Sequence, residues 1–485
     1  MSIARALSNA VSGLAATSRG TETIAANVAN VLTPGYARRE MSLSAVALGG
    51  QSGGVRIDGI ARVVNAAILS EARLSYAARS GSEDLAAFFN RIEDAVGLPG
   101  DAGAISTALT EFESALIAAS MRPDEDLRLA KVVETAETLA DRLNAASKIV
   151  QDARTAADIS IASQVGSLQQ GLDRVAYLNR QIASLSSGGQ DVSALHDERQ
   201  AAVDRIADIV PLRVISRDAG RISLFTAEGA PLLDGLTPAQ ISVTPAGEFT
   251  PEMQVGTIGV SGLVVNGEEL SGASLRLFTG GSLGVAFAIR DSHAPQAQSE
   301  LDALAHDLYR RFADPAVDPS LAPGQPGLFT DAGAAAAPPP AQGLAARLRI
   351  NQAVLPDAGG ALWRLRSGLQ AGAPGPVGDG ELIGRLSSAL KAVDNLSPPS
   401  PITGRHDASG LAAELEARIA GRRLSAEADA SLQGTRAANL TERLMAEGVD
   451  TDSEMQRLLQ YEQAYAANAR VIQAIDEMMN TILKV

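Results

Sequence analysis

Apolar residues recur at coiled-coil spacing at both ends of this chain. Steps of three and four residues place each series on one stripe of a helix, ready to pack against another helix. The N-terminal seam consists of Ile3, Leu7, Ala10, Leu14, Ile24, Val28 and Val31, with Thr17 and Thr21 filling the remaining positions. The C-terminal seam consists of Leu458, Tyr461, Tyr465, Asn468, Ile472, Ile475, Met479 and Ile482. Because chain ends usually fray, stripes built for burial there predict pairing with each other and with neighbouring copies.

Several seam positions hold small or polar residues. Ala10, Thr17 and Asn468 contribute less apolar area than leucine or isoleucine would, which lowers the stability of an isolated helix pair. We hypothesise that the ends are loose in the free subunit and become ordered when subunits pack together.

The composition restricts the classes of partner. At 485 residues, and with ~150 residues per domain, about three domains are expected. The net charge of −15 disfavours nucleic acid and anionic membrane surfaces as partners. The chain has no cysteine, and no apolar run approaches the ~20 residues of a membrane span. No secretory signal follows Arg5, so an exported protein would need another route.

The pattern along the chain predicts helix, then β structure, then helix. Helix is expected over 1–32, strands around 41–48 and 54–64, and helix from Ala66 with breaks near Gly81 and Gly97. Two heptad series predict a long helix over 124–187. Short apolar runs between 212 and 289, including 285–289, predict strands, with an Asn266-Gly267 hairpin turn. Thr451 to Glu454 has capping-box spacing.

The expected fold is mainly α with an inserted β-rich domain. It is a discontinuous, elongated, multidomain chain whose N- and C-terminal helices pair as a coiled coil. We divide it into a terminal coiled-coil assembly domain (1–64 plus 447–485), a long-helix domain (65–210 plus 292–313 and 345–446), a β-rich outer domain (211–291) and a Pro/Ala-rich linker or loop (314–344) that leaves little to pack.

We find no constellation of residues that predicts catalysis, a cofactor or a metal. The four histidines have neither metal-ligand spacing nor a cysteine to share a metal with. Ser388 and Lys391 match a Ser-x-x-Lys pattern, but its companion motifs are missing and a match this short arises by chance. We therefore expect no enzyme activity.

The segment 26–36, Ala-Asn-Val-Ala-Asn-Val-Leu-Thr-Pro-Gly-Tyr, resembles the N-terminal motif of the bacterial flagellar axial proteins, which are the rod, hook and hook-associated subunits. The motif positions are Asn27, Asn30, Pro34, Gly35 and Tyr36; Leu32 stands where relatives usually have a polar residue. Residues 454–478 resemble the matching terminal helix. The segments 195–199, Leu-His-Asp-Glu-Arg, and 281–284 resemble the hook-associated members in particular.

This resemblance implies a structural subunit that joins hook to filament and assembles through its terminal helices after type III export. The implied partners are copies of itself in a ring, the hook protein, a second hook–filament junction protein and an export chaperone on the C-terminal seam. No nucleic acid and no membrane insertion are implied. The implied location is extracellular, at the hook–filament junction of the flagellum, and cytoplasmic before export.

Other functions stay open at this point. Another axial protein (hook, distal rod or second junction protein) would carry the same terminal motifs. A cytosolic coiled-coil adaptor would also need apolar helical seams. An enzyme that degrades the cell wall is disfavoured, because no acid, histidine or metal site is apparent in the sequence.

Overall fold

The computed structural model describes residues 3–33, 35–48, 51–188, 190–255, 259–338, 341–396 and 400–483. Long helices dominate, and the sheets are small and separate, which confirms the predicted fold class. The α-helices are α1 (Ile3–Ala29), α2 (Ala66–Val96), α3 (Ile105–Met121), α4 (Asp126–Ser187), α5 (Ser193–Ile209), α6 (Gly281–Ala288), α7 (Ala294–Phe312), α8 (Leu344–Arg347), α9 (Arg364–Ser367), α10 (Glu381–Lys391), α11 (Ala408–Ala446) and α12 (Thr451–Leu483). The strands are β1 (Arg39–Leu48), β2 (Gln51–Arg62), β3 (Leu212–Ser216), β4 (Ile222–Thr226), β5 (Pro231–Asp234), β6 (Thr237–Pro238), β7 (Ile241–Ser242), β8 (Leu263–Val265), β9 (Glu268–Leu270), β10 (Phe329–Asp331), β11 (Leu348–Ile350), β12 (Asp394–Asn395) and β13 (Arg405–His406).

The chain folds into two compact units. The first comprises Met1–Arg79, Gly166–Ile241 and Gln433–Val485, and the second comprises Ser80–Val165 and Ser242–Leu432. The boundaries between the units fall within α2, α4 and α11 as well as at β7. The four-part domain division made from the sequence stays a prediction.

The first unit contains both chain ends. Helix α1 packs against α12 and against the antiparallel hairpin β1–β2, whose register begins at Arg39 opposite Arg62. Helix α5, a four-stranded antiparallel sheet in the order β3-β4-β5-β6 and parts of α2, α4 and α11 also belong to this unit. The predicted strands around 41–48 and 54–64 are confirmed as this hairpin.

The predicted long helix over 124–187 is confirmed as α4. The residues of both heptad series lie on its buried side. The buried positions are Val132, Ala136, Leu139, Leu143, Ala146, Val150, Ile161, Val165, Leu168, Leu172, Val175, Asn179 and Ile182.

The core of the second unit is built around three phenylalanines. Phe112 of α3, Phe312 of α7 and Phe329 of β10 are fully buried, and their ring centroids lie 5.4 to 5.9 Å apart. Strand β10 pairs antiparallel with β11. The expectation that residues 314–344 leave little to pack was therefore wrong at Leu328 and Phe329, where a short apolar pair enters the core.

Two further local predictions were wrong for identifiable reasons. The apolar run 285–289 is not a strand; it lies in α6 and the π-helical turn that follows, and a short run of this kind suits a buried helix equally well. Helix α2 is not broken at Gly81, where a Cβ atom would lie 2.8 Å from the Gly281 carbonyl oxygen of α6. Gly81 thus permits close helix packing. The break at Gly97 and the Asn266-Gly267 turn are confirmed, with positive φ at all three residues.

Candidate functional site

Helices α1 and α12 pair antiparallel in a heptad register. A Cβ on Gly13 would lie 2.8 Å from the amide of Asn468, and one on Gly20 would lie 2.6 Å from the Tyr461 ring. One heptad further along α1, Asn27 donates a hydrogen bond to Glu454. Each step of seven residues forward on α1 thus matches seven residues backward on α12.

The contact face of α1 is made of small residues. Ala16, Thr17, Gly20 and Thr23 are buried there, together with Ala10, Ile24 and Asn27. The sequence pattern did not indicate Gly13, Ala16, Gly20 and Thr23 as part of this face, because a heptad stripe is marked by larger apolar side chains. The spacing of seven residues from Gly13 to Gly20 to Asn27 was the available signal.

The residues of the two predicted seams differ in how deeply they are buried. On α1, Ala10 and Ile24 are buried, Ile3, Leu7, Leu14 and Val28 are partly buried, and Val31, just past the helix end, is exposed. On α12, Ile475 is buried, Leu458, Tyr461, Asn468 and Ile472 are partly buried, and Tyr465, Met479 and Ile482 are exposed. Tyr461, Asn468 and Ile475 follow the heptad register towards α1. As an assembly site, both seams stay a prediction.

Asn27 lies at the centre of a buried hydrogen-bond network. Its Nδ2 donates to the Arg39 carbonyl oxygen and to Glu454 Oε2, both at 2.9 Å. Its Oδ1 accepts from the Tyr36 hydroxyl at 2.8 Å and from the Arg39 amide at 2.9 Å. Arg38 Nε donates to the other oxygen of Glu454 at 2.7 Å. Because Asn27 and Glu454 are almost fully buried, every one of these bonds replaces a bond to water.

Glu454 is available for this network because it does not cap its own helix. The carboxylate of Asp450 accepts from the amides of Asp452 and Ser453, and the Asp450 carbonyl accepts from the Glu454 amide. The predicted capping box at Thr451 was therefore wrong. Asp450 satisfies the first turn of α12, so the Glu454 carboxylate can reach α1.

The motif turn after α1 is closed by a backbone bond. Gly35 has φ of 80°, and the Tyr36 amide donates to the Thr33 carbonyl oxygen at 3.2 Å. Asn30 Nδ2 donates to the Ala26 carbonyl oxygen, and the Thr33 hydroxyl donates to Asn30 Oδ1. Pro34 lies outside the described residues. This turn directs the chain into β1 and brings Tyr36 back to Asn27.

The second family-like segment, 195–199, meets the same region through Asp197. This carboxylate accepts from the Ala37 amide, from Arg39 Nη2 and from Arg62 Nε at 2.8 to 3.2 Å. Three segments that are far apart in sequence (27–39, 197 and 454) are thus held in one network of α1, the hairpin, α5 and α12.

Arg199 connects this segment to the neighbouring sheet. Its guanidinium donates to Asn179 Oδ1 at 2.7 Å, to the Gly220 carbonyl oxygen at 2.6 Å and to His196 Nδ1 at 2.9 Å. Since arginine only donates, His196 Nδ1 must accept, which places the ring proton of the neutral form on Nε2.

His196 is expected to stay neutral well into the acidic range. Burial, followed by the positive charges of Arg199 and Arg62, lowers its pKa to about 4. Because the unfolded value is about 6.5, the unfolded chain takes up the proton first, so stability is lost as the pH falls from about 6.5 to about 4. An NMR titration of the ring should show the lowered midpoint, with the urea-unfolded chain as control. Equal titration midpoints in the folded and unfolded chains would contradict the prediction that burial and the two arginines lower the pKa of His196.

A groove of about 510 Å³ runs between α1, the hairpin and α12. Its walls include Gly13, Ala16 and Gly20 of α1, Met41, Leu43 and Val55 of the hairpin, and Tyr461, Ala464 and Asn468 of α12. The groove shows that α12 covers α1 without filling all the space beside it.

Over the described ranges, no helix combines the length and the apolar character that crossing a membrane requires. Within the same part of the chain, no three histidine, aspartate or glutamate side chains are grouped to hold a metal ion.

Family models match both chain ends and the region between them. The model described as "Flagella basal body rod protein" matches residues 7–36, and "Flagellar basal body rod FlgEFG protein C-terminal" matches residues 442–485. "Flagellar hook-associated protein FlgK helical domain" matches residues 89–315. The first two cover most of α1 and all of α12, the helices whose pairing builds the network around Asn27.

Individual relatives agree with these models. Flagellar hook-associated protein 1 of Bacillus subtilis is 23% identical over 98% of this chain and 97% of that protein. The Salmonella typhimurium protein of the same name is 25% identical over 62% of this chain, and the match spans 54% of that protein's length. A solved structure titled the flagellar hook junction protein FlgK from Burkholderia pseudomallei has 23% identity and a TM-score of 0.45, covering 54% of this chain and 46% of that one. On the family models and the named relatives, the chain belongs to the flagellar hook-associated protein 1 family of structural flagellar subunits.

Proposed function

We propose that this chain is the structural subunit that joins hook to filament, and that its first unit makes the contacts with neighbouring subunits. The observation that carries the proposal is the low burial of the α12 side chains. Of its described side chains, only Glu454 and Ile475 are buried, although apolar residues continue along its whole length. A helix of this kind is incompletely covered by its own chain and fits packing against further subunits.

The exposed apolar side chains are concentrated on α12. They are Met455, Leu459, Tyr465, Val471, Met478, Met479, Ile482 and Leu483, each at least 43% exposed. In the antiparallel register Met478 lies opposite Ile3, so the described part of α1 has no residue to cover Met479, Ile482 or Leu483. Exposed apolar side chains gathered on one helix in this way favour a role in contacts with other proteins.

The end of α1 adds a second apolar feature. Leu32 is 91% exposed and Val31 is 40% exposed, directly before the motif turn. When the same two surfaces occur on every copy, a head-to-tail contact between them repeats around an axis and forms a ring. We propose copies of this chain as its lateral neighbours, and the hook protein and a second junction protein as its axial neighbours.

The route to this position is part of the proposal. We propose export in an unfolded state through the flagellar type III apparatus, preceded by a cytoplasmic stage in which a chaperone covers α12. The exposed side chains on α12 support the chaperone proposal, because they would otherwise promote aggregation before export. The proposed role involves no catalytic step.

Substituting Ile482 by aspartate tests the assembly role. Ile482 is 62% exposed, so Ile482→Asp should leave the fold intact while introducing an unpaired charge into the contact with a neighbour. In cells that lack the wild-type gene, we expect the variant in the culture medium, bare hooks by electron microscopy and shed filament subunits. Gln473→Asp, at an exposed position of the same helix, adds the same charge and should support normal filaments.

Ile482→Asp protein at hook tips in wild-type amounts would refute the proposal. Leu14→Asp and Ile472→Asp extend the test to the partly buried seam positions and are expected to block assembly. A labelled antibody on isolated hooks distinguishes the junction from the hook or distal rod: label confined to the hook tip supports the junction.

A further inference from the structure

The oxidisable sulfur atoms of this chain are concentrated at its C-terminal end. The chain has no cysteine and eight methionines, and four of the eight are Met445, Met455, Met478 and Met479. Met455, Met478 and Met479 lie on α12 and are 50%, 50% and 43% exposed. With no thiol present, thioethers are the most readily oxidised sulfur groups that the chain offers to an oxidant.

These three methionines also belong to the exposed apolar surface of α12. Met478 and Met479 lie beside Ile482 and Leu483, and Met455 lies one turn before Leu459. Met478 is opposite Ile3, and the described part of α1 has no residue to cover the positions that follow it. A thioether is apolar and adapts its shape to a contact, which suits an interface formed only after the subunit reaches its place. The same exposure leaves the sulfur atoms open to solutes until that contact forms.

We propose that Met455 near the start of α12, and Met478 and Met479 near its end, are oxidation-sensitive positions that control whether the subunit can join its neighbours, an inference that rests on the proposed assembly role of α12. The oxidant is a peroxide. It transfers one oxygen atom to the Sδ atom: the peroxide O–O bond breaks, an S–O bond forms, sulfur is oxidised by two electrons, and hydrogen peroxide is reduced to water.

Oxidation reverses the character of this surface. The sulfoxide oxygen is a strong hydrogen-bond acceptor, and the contact proposed for α12 offers it apolar surroundings. Intramolecular pairing of α1 with α12 should survive, because it depends on the Asn27 network and on Gly13 and Gly20, and none of the three methionines takes part in these contacts. The modified subunit would be folded but unable to assemble.

The test uses purified full-length protein and hooks isolated from cells that lack the gene. Protein treated with graded hydrogen peroxide is analysed by peptide mass spectrometry for oxidation at each methionine, and its addition to hook tips is counted by immunogold labelling. We expect Met455, Met478 and Met479 to oxidise before the partly buried Met41 and Met253. Addition should then fall roughly tenfold or more, as expected for burying unpaired polar groups.

Two variants separate oxidation at these positions from general oxidative damage. The triple variant M455L/M478L/M479L keeps side-chain volume and polarity, so it should add to hooks like wild type and remain within about twofold after peroxide. The matched control M121L removes a methionine that is 71% exposed on the second unit, and it should stay as sensitive as wild type.

Full addition by wild-type protein with all three sites oxidised would overturn the inference. So would equal loss of addition in the peroxide-treated triple variant, or oxidation of Met41 and Met253 before the α12 sites. Untreated wild-type protein that fails to add to hooks would count against the proposed function instead, and the mass spectrometry would still report the order of oxidation.

Discussion

The Asn27→Asp variant should lose about 3 kcal/mol of the free energy that holds α12 on α1 at pH 7, because it places a second carboxylate beside a buried one. Asn27 Nδ2 lies 2.9 Å from both Glu454 Oε2 and the Arg39 carbonyl oxygen, so the substitution turns two donated hydrogen bonds into contacts between acceptors. One carboxyl must then take up a proton, which costs about 1.4 kcal/mol for each pH unit above its pKa.

Hydrogen exchange of the α12 amides measures this effect directly, since local opening sets their protection. The loss should shrink as the pH is lowered, because the proton that separates the two carboxylates is then taken up at a smaller free-energy cost. Asn30→Asp is the matched control: the same substitution, on the same motif, at a residue that bonds only locally to Ala26 and Thr33. Equal loss of protection in the two variants would show that the network does not hold the helices together.

The Gly20→Ala variant should destabilise the terminal helix pair by about 1–3 kcal/mol, although alanine is the better helix former by about 1 kcal/mol. The new methyl group would lie 2.6 Å from the Tyr461 ring, so the ring or α12 must move. Gly434→Ala is the control. Gly434 lies in α11 of the same unit, and a methyl group added there would meet no neighbouring atom within 4 Å. It should gain about 0.5–1 kcal/mol.

Two measurements distinguish the Gly20 and Gly434 variants: the free energy of unfolding from chemical denaturation, and the hydrogen-exchange rates of the α12 amides. The double variant Gly20→Ala/Tyr461→Ala should recover much of the protection lost in the single variant, because the clash is removed together with the ring. Stabilisation by Gly20→Ala alone, of the size seen at Gly434, would mean that the close approach at Gly20 has no energetic role.

The pairing of the chain ends could be predicted from sequence, but the face of α1 that makes it could not. Leu7 and Leu14 mark a heptad stripe because they are large and apolar, whereas the actual contact depends on Gly13 and Gly20, whose lack of a side chain allows Asn468 and Tyr461 to approach. The periodicity of hydrophobic residues does not indicate an interface in which glycines allow the two helices to approach closely.

Polar partners that are far apart in sequence could not be predicted either, because a sequence pattern reports only local spacing. Glu454 stands three residues after Thr451, and that local spacing indicates a capping box, while its real partner is 427 positions away. Asp197 was recognised within a family-like segment, but nothing in the sequence indicated that it binds Arg39 and Arg62. In contrast, α4 was predicted well because its signal, two heptad series in a segment without proline, is entirely local.

The distance along the chain between Asn27 and Glu454 also has a consequence for synthesis. At about 5–20 residues per second, the ribosome needs roughly 20–90 s between adding Asn27 and adding Glu454. Throughout that interval α1 has no α12 to pair with, and the closing of so long a loop delays the contact further. The pairing of α1 with α12 is therefore among the last contacts that the growing chain can form, and until then the contact face of α1 is accessible to other cellular components.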